Sequence, residues 1–394
     1  MRKTCAIDFG FVFPIVGDVN CESTRCCPDC FTSEAAQTFI ERQGSQGRCS
    51  FCEHGHSLTI APIALQDLFR PLVTLFEVPR GLELHYLTAC EPHESNLAEQ
   101  IVDVYGFEVF SNGLSVEKQC ALLDYIRGLK PGEFGNPSAG PWGPSLDHAV
   151  SHGDGYAWHT LAEYLKTKRR FIIRPELMGV NEGPEKWIRD IISKHGVTHT
   201  LKPNVTLYRA RLGGAADAHE FLVPHPAAEM GPPPANKSSP GRANPRGIPY
   251  LYAATKPETA IAEIRPEIGA SVTVRPVQIE KDIVLVDLSE ELAIKDPIGI
   301  KKLNESVAAI SLLNALRHQL SRPVLDSDSE LEYLPSQYLT EVILEAGFGG
   351  VLYPSSQAPT GRNIVIFDST GVSISDLAEL RYVESVSYRS KTIS

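Results

Sequence analysis

Residues 231–266 read GPPPANKSSPGRANPRGIPYLYAATKPETAIAEIRP, and this stretch contains a strand-to-helix unit around which the rest of the chain is organised. Its first half is rich in proline, glycine and serine, which predicts a loop. The apolar run Ile248–Ala254 predicts a short strand. A helix follows, with Thr255 as the predicted N-cap, Pro257 in the first turn and Glu263 beside its apolar face.

The same stretch concentrates polar and aromatic side chains that a packing element does not need. They are Arg242, Asn244, Arg246, Tyr250 and Tyr252. Glu263 has the pattern of a buried carboxylate, because it lies among alanines and isoleucines. Cations, aromatic rings and a carboxylate within one βα unit favour a ligand site.

Strands and helices alternate in a mixed order around this unit. Val205–Arg211 alternates apolar and polar residues and predicts a strand. Further strands are predicted over 271–280, 282–288, 350–353 and 363–367, and helices over 301–319 and 336–346. This order favours an α+β domain over a doubly wound parallel sheet. Neither G-x-G-x-x-G after a strand nor G-x-x-x-x-G-K-[ST] occurs, so the usual dinucleotide and NTP cradles are absent.

The totals exclude some classes of function. At 394 residues the chain is long enough for two or three domains. The net charge of −11 disfavours nucleic acid as the main partner. No stretch is long and apolar enough to span a bilayer, and the N-terminus lacks a signal-peptide cleavage pattern. We therefore expect a cytoplasmic protein with no membrane partner.

The nine cysteines cluster early in the chain, which indicates a metal site in a reducing compartment. Cys27, Cys30, Cys49 and Cys52 form a C-x2-C-x18-C-x2-C pattern, typical of a structural zinc ribbon. Such a closed site stabilises a fold and performs no catalysis. Neighbours that can replace one ligand are Cys21, Cys26, His54 and His56, although solvated histidines are preferred; the choice between Cys26 and Cys27 stays open.

Helical patterns fill the middle of the chain. They cover 65–76, 97–105, 116–129, 158–168 and 184–194. Pro71 is expected to kink or split the first of them. Arg189 and His195 have a spacing found in HEPN ribonucleases, but a solvated arginine and a histidine at the helix end are preferred. The basic run 168–170 is likewise expected to be a solvated helix end.

Several separated blocks resemble the RES domain in the same order along the chain. They are LYRAR (207–211), the stretch 241–266, LPSQYLTEVIL (334–344), GFGGVLYPSS (347–356) and GRNIVIF (361–367). The resemblance covers about residues 203–370. The family is named for an arginine, a glutamate and a serine, which match Arg209, Glu263 and Ser355, with Ser356 as the adjacent alternative. The cysteine pairs and middle helices resemble a HEPN-like region fused to some RES domains.

The resemblance implies three regions: a zinc-ribbon-like region at 1–60, a helical HEPN-like region at 61–200 and a RES domain at 201–394. The RES domain is expected to have a mixed α/β fold similar to ADP-ribosyltransferases. The family includes toxins that consume NAD by hydrolysis or phosphorolysis, or transfer ADP-ribose to a macromolecule. A separate antitoxin and a homodimer are the implied partners. A non-catalytic zinc-ribbon binding module is the alternative from a different class.

Cleavage of NAD assigns a role to each candidate residue. Arg209 and Arg242 are suited to the pyrophosphate, and Tyr252, ahead of Tyr208 or Tyr250, to the nicotinamide ring. Glu263 can stabilise the positive charge that develops on the ribose. Ser355 is expected to bond the ribose or Glu263. Asn244 and Ser356 complete the expected NAD-binding set. The alternative role of Asn244 is to shape the loop. Arg246 and Gln337 are weaker candidates for the site.

Overall fold

The computed structural model describes residues 23–52, 57–76, 97–129, 156–174, 183–195, 197–322, 330–358 and 360–387. The chain forms two compact units: Met1–Ala149 with Lys295–Asn304, and Val150–Ile294 with Glu305–Ser394. The three predicted regions stay a prediction. The alternative ligands Cys21, His54 and His56 lie outside the described residues. None of the described helices is both long and apolar enough to cross a membrane.

The first unit contains short helices and one small hairpin. Its elements are α1 (Glu34–Gln43), β1 (Ser45–Gly47), β2 (Ser57–Thr59), α2 (Gln66–Thr74), α3 (Leu97–Tyr105) and α4 (Val116–Ile126). Ser115 caps α4, because its hydroxyl accepts a hydrogen bond from the Lys118 amide. Pro71 was expected to kink or split this helix, and the split is wrong, since α2 runs through Pro71 as one helix. Burial of Phe69 and Leu72 on α2 offsets the hydrogen bond that proline removes.

Three aromatic rings form the centre of this unit. The Phe31 ring centroid lies 5.8 Å from that of Phe69 and 5.8 Å from that of Phe110. The Phe69 and Phe110 rings stack at 6.2 Å. All three side chains are buried. Because Phe31 directly follows the first cysteine pair, this core fixes the backbone that carries two of the predicted metal ligands.

The second part of the chain contains α5 (Tyr156–Thr167), α6 (Pro184–His195), β3 (Thr198–Leu201), β4 (Thr206–Leu212), β5 (Ala215–Ala216), β6 (Leu222–Val223), β7 (Leu251–Ala254), α7 (Pro257–Glu263), β8 (Ser271–Ile279), β9 (Ile283–Asp287), α8 (Leu303–Ser321), α9 (Leu334–Glu345), β10 (Gly350–Pro354), β11 (Arg362–Ile366), β12 (Val372–Ile374) and β13 (Glu379–Tyr382). The predicted strands and helices of this part are all present. Gly347 ends α9 with φ of +95°, a conformation that favours glycine.

Among the described residues, nine strands of the second unit form one sheet. Eight of them follow the order β12-β8-β4-β7-β11-β10-β9-β3, and β13 also pairs with β8. The β9–β10 pair is parallel and the remaining pairs are antiparallel. This mixed sheet confirms the predicted α+β class. Its buried core consists of aliphatic side chains such as Leu207, Leu251, Val277, Leu285 and Ile364.

Strands β4 and β7 separate at the point where the site forms. β4 pairs with β8 along its whole length, but it pairs with β7 only where Tyr208 faces Ala254. The helix α7 begins immediately after β7, with Lys256 as its N-cap. The predicted cap, Thr255, is wrong because its amide and hydroxyl both bond the Arg362 carbonyl and so continue the sheet.

Candidate functional site

A row of residues crosses four strands of the sheet and forms the floor of a cavity. Tyr353 on β10 faces Asn363 on β11, Asn363 faces Ala254 on β7, and Ala254 faces Tyr208 on β4. Residues opposite one another on neighbouring strands present side chains on the same face. The alanine in this row leaves room between larger neighbours. The resulting cavity has a volume of about 170 Å³.

The cavity brings together most of the predicted catalytic set. Its lining residues are Tyr208, Arg209, Ala210, Tyr252, Ala253, Ala254, Ala260, Glu263, Ile264, Tyr353 and Asn363. Three predicted catalytic residues, Arg209, Tyr252 and Glu263, are among them. The fourth, Ser355, reaches the site through a direct hydrogen bond to Glu263.

Glu263 is the last residue of α7 and is exposed, so the expectation of a buried carboxylate is wrong. The helix places it at the mouth of the cavity instead of in the core. Its Oε1 accepts hydrogen bonds from Ser355 Oγ at 2.5 Å and from Asn363 Nδ2 at 2.8 Å. Two donors on one oxygen fix the orientation of the carboxylate while it stays accessible.

Ser355 is buried in the turn that follows β10. Its hydroxyl oxygen accepts hydrogen bonds from the backbone amides of Gln357 at 3.1 Å and Ala358 at 3.0 Å, and it donates to Glu263. The turn therefore holds the hydroxyl rigidly against the carboxylate. Ser356 is exposed, bonds the Gln357 side chain and does not line the cavity.

Arg209 is half-buried on β4 and lies where β4 and β7 separate. Its Nη1 donates to the Tyr252 carbonyl at 2.8 Å, in place of a strand partner. Burial lowers the pKa of the guanidinium. Among the described residues no carboxylate forms an ion pair with Arg209, although Glu263 lines the same cavity. The cavity is therefore lined by a cation and an anion that do not pair with each other, so both can interact with a ligand.

Tyr252 forms one wall of the cavity and is anchored by the preceding loop. Its hydroxyl donates to Asn244 Oδ1 at 2.6 Å, and burial raises the pKa of the phenol, which keeps it neutral. The Asn244 amide donates to the carbonyls of Ser239, Pro245 and Ile248. A side chain at Gly241 would lie within 2.6 Å of Asn244 Oδ1 and 2.8 Å of the Tyr252 hydroxyl, so this turn requires glycine. These contacts favour loop shaping by Asn244.

Other candidates from the 231–266 stretch are not among the residues that line the cavity. Arg242 is buried, with its guanidinium carbon 5.1 Å from the centre of the Tyr333 ring. Arg246 is exposed and pairs with Glu330 at 2.6 Å. Tyr250 packs against Phe367 in the core, ring centroids 5.0 Å apart.

Gln337 on α9 supports the loop from below. Its Nε2 donates to the Gly241 and Asn244 carbonyls at 2.8 and 3.0 Å. Ser336 Oγ donates to the Arg242 carbonyl at 2.6 Å. The first turn of α9 therefore holds the loop around residues 241–244 in place, and this loop anchors Tyr252.

Sequence reasoning missed Asn363 and Tyr353 as members of the site. Asn363 is a polar residue inside an otherwise apolar strand, and a buried amide needs a hydrogen-bond partner; that signal was available. Tyr353 immediately precedes the Pro-Ser-Ser turn and is buried, with its pKa raised by burial. Its position opposite Asn363 depends on strand register, which the sequence does not show.

Arg189 has a structural role. Its Nε donates to the Ala346 carbonyl at 2.6 Å and its Nη2 to the Glu345 carbonyl at 3.3 Å, so it caps the C-terminus of α9. Burial lowers the pKa of His195. This arrangement agrees with the preferred interpretation of the Arg-His spacing as structural.

The first unit contains a second candidate site. The sulfur atoms of Cys27, Cys30, Cys49 and Cys52 all lie within 4.8 Å of one another. Cys27 Sγ is 3.8 Å from Cys30 Sγ and 3.2 Å from Cys52 Sγ, and Cys30 Sγ is 3.4 Å from Cys49 Sγ. Sulfurs around a tetrahedral zinc at about 2.3 Å stand about 3.8 Å apart. These four residues can therefore hold a metal ion.

Cys26 does not belong to this group. Its thiol donates to the Ile60 carbonyl at 3.6 Å instead. The group of sulfur atoms within 4.8 Å of one another contains Cys27 and not Cys26. The geometry thus selects Cys27 from the two adjacent cysteines.

Fold and site together define an α+β domain with an enzyme-like cavity lined by opposite charges. Residues 206–385 match the family model for the RES domain, so this part of the chain is a RES domain. The match starts close to residue 203, where the predicted resemblance begins. It extends beyond residue 370, where that resemblance ends, and includes β12 and β13. This match supports the expectation of an enzyme that consumes NAD.

A similar chain occurs in the crystal structure of the M. tuberculosis MbcT–MbcA toxin–antitoxin complex, with 14% identity over 51% of this chain and 94% of that chain, and a TM-score of 0.29. The assignment rests on the family match and not on this likeness. No curated protein matches the sequence.

Proposed function

We propose that the RES domain cleaves the nicotinamide–ribose bond of NAD, as a glycohydrolase or a phosphorylase. The observation that carries this proposal is the pair of opposite charges, Arg209 and Glu263, held apart on one cavity. Cleavage of NAD requires both a cation and an anion in the site. Its pyrophosphate is anionic, and its ribose becomes cationic as nicotinamide departs.

Each part of the cavity has a role in this reaction. Arg209 keeps one guanidinium nitrogen on the Tyr252 carbonyl and has further N–H donors for the pyrophosphate. Tyr252 offers an aromatic wall to nicotinamide. The cavity, at about 170 Å³, is smaller than the roughly 300–1,000 Å³ of typical ligand pockets, so it suits one end of the dinucleotide. Arg242, Asn244 and Ser356 do not line this cavity, and their place in the predicted NAD-binding set stays a prediction.

Glu263 supplies the electrostatic part of catalysis. An oriented carboxylate stabilises the oxocarbenium-like ribose and helps to direct the acceptor. Ser355 acts by fixing this carboxylate, since its hydroxyl donates to Glu263 while its oxygen is held by two backbone amides. Transfer of ADP-ribose to a macromolecule is the second candidate, because an exposed Glu263 is open to a large acceptor.

We infer that the four cysteines bind zinc and that this zinc is structural. Four thiolates complete a tetrahedron and leave no position open for a substrate. Three of the four cysteines are buried, which suits a role in folding. The metal supplies stability and takes no part in NAD cleavage.

We also infer that the protein acts in the cytoplasm as a toxin or defence effector. Consuming NAD harms the cell that makes the enzyme, so a separate inhibitory protein is required in the host. An antitoxin that covers the cavity would serve this purpose. The homodimer expected from related toxins remains part of this proposal.

The test is product identification by mass after incubation of the purified chain with NAD, with and without phosphate. We expect nicotinamide release, with ADP-ribose or its phosphorylated form identifying the acceptor. Glu263→Gln should lower turnover about 10²–10³-fold, the loss typical of a removed transition-state contact. Glu258→Gln is the matched control, because it lies on the same helix and pairs only at the surface with Arg381. Equal turnover of Glu263→Gln and wild type would sink the proposal.

A further inference from the structure

Asn363 lies at the centre of the cavity floor, yet it is absent from the arginine–glutamate–serine set. The residue is buried on β11, between Tyr353 and Ala254 on the neighbouring strands. Its Nδ2 donates to Glu263 Oε1 at 2.8 Å. Its neighbours in β11, Ile364 to Ile366, are apolar and fully buried. A polar side chain at this position requires a partner, and Glu263 is that partner.

We propose that Asn363 is a positioning residue that selects which oxygen of Glu263 faces the substrate. Ser355 and Asn363 donate to the same atom, Oε1. Oε2 has no hydrogen-bond donor among the described residues and is the oxygen left for the ribose. Two donors from different elements, one on a turn and one on a strand, fix the carboxylate plane; a single donor leaves it free to rotate.

The end of α7 makes such a lock necessary. Glu263 is the last residue of a helix of seven residues. Arg265, two residues later, has φ of +46°, an uncommon conformation for a residue with a side chain. An exposed carboxylate at a helix end is held weakly by its own backbone. The sheet, through Asn363, supplies the fixed reference point that the helix lacks.

Removal of the donor should reduce the rate more than the binding of NAD. Since a misplacement of about 1 Å can cost about 10²-fold, Asn363→Ala should lower kcat by about 10²-fold. KM should change by less than about threefold, because Arg209 and Tyr252 still bind the dinucleotide. Asn314→Ala is the matched control, since its amide holds only Leu292 in a loop. This control should lower the Tm and leave kcat unchanged.

Asn363→Asp provides a readout that a merely structural role would not give. At high pH both carboxylates are ionised and repel each other, so Glu263 moves away and turnover falls. At lower pH the pair shares one proton, as neighbouring carboxylates do, and the new carboxyl donates to Glu263. We therefore expect the activity of Asn363→Asp, relative to wild type, to rise about tenfold between about pH 8 and about pH 5.

This inference rests on the proposed function, and the two fail separately. Wild-type protein that releases no nicotinamide would overturn the NAD proposal. It would also overturn the role of Asn363 in positioning Glu263 for that reaction. Active wild type with Asn363→Ala within about threefold of its kcat would overturn the positioning role alone. A flat ratio of Asn363→Asp to wild-type activity across pH would also overturn it.

Discussion

The thiols of Cys27, Cys30, Cys49 and Cys52 face one another, whereas Arg209 and Glu263 face a shared cavity without meeting. In the first group every ligand atom lies within 4.8 Å of every other, so the group can be completed by one small ion. In the second, the two charges are each fixed by neutral partners, Arg209 by a carbonyl and Glu263 by a hydroxyl and an amide.

The difference separates the site proposed for stability from the site proposed for chemistry. Ligands that converge on one point leave nothing for a substrate, and their binding free energy becomes folding free energy. Charges that are held apart and oriented in advance cost stability, but they interact strongly with charge that develops during a reaction. Perturbing the two sites should therefore give opposite patterns of effect.

The largest effect should follow removal of the zinc that we infer at the four cysteines. Structural zinc in small domains contributes about 10–16 kcal/mol of apparent binding free energy, so chelation or Cys27→Ser should unfold the first unit. Nicotinamide release should change little, because no cavity residue is a metal ligand. Metal content by mass spectrometry and thermal melting of the same sample measure this directly.

Cys26→Ser is the control for that experiment. It changes the adjacent thiol, which bonds the Ile60 carbonyl and lies outside the cluster. We expect it to keep one metal ion per chain. An unchanged melt after verified metal loss would contradict the contrast between the two sites, as would metal loss in Cys26→Ser.

A smaller effect is expected for Arg209→Lys. Lysine keeps the charge but cannot hold the Tyr252 carbonyl and the pyrophosphate at the same time in a fixed geometry. Loss of a hydrogen bond to a charged group costs about 1.5–3 kcal/mol, so KM for NAD should rise about 10–10²-fold. Initial rates across NAD concentrations check it.

Arg211→Lys on the same strand is the matched control. Arg211 is exposed and pairs with Glu229 at the surface. A surface pair contributes about 0–1 kcal/mol, so its KM should stay within a few-fold of wild type. If both variants raise the KM for NAD equally, Arg209 has no specific role in binding NAD.

The local features of this molecule were predictable from the sequence because their causes are local. The cysteine spacing identified the four thiols that converge. The apolar run before a proline placed β7 and α7 within a few residues. The RES-like blocks named Arg209 and Glu263, both of which line the cavity.

The rest depended on contacts between distant parts of the chain. Asn363 meets Glu263 across 100 residues, and the register that opposes Tyr353, Asn363, Ala254 and Tyr208 comes from four separate strands. The exposure of Glu263 was mispredicted for the same reason. An amphipathic pattern shows which residues can face a core, but the last residue of a helix can lie at a cavity mouth instead.

The smallest effect on turnover should come from Tyr252→Phe, which keeps the ring and removes the hydroxyl. The hydroxyl donates to Asn244 Oδ1, so its loss leaves a buried acceptor and should cost about 1–3 kcal/mol of stability. Burial raises the pKa of this phenol, so it stays protonated at and above neutral pH and adds no titration to the pH profile. We expect kcat within about threefold of wild type, with the same pH dependence, because the aromatic wall remains.

Tyr252→Ala separates the ring from the hydroxyl. It should raise KM about tenfold or more, since an aromatic contact contributes about 0.5–1.5 kcal/mol beyond its buried area. Parallel thermal melts and steady-state rates distinguish the two variants. If Tyr252→Phe loses as much turnover as Tyr252→Ala, the hydroxyl takes part in the reaction. The charges of Arg209 and Glu263 would then not be the only groups in the cavity that contribute to catalysis.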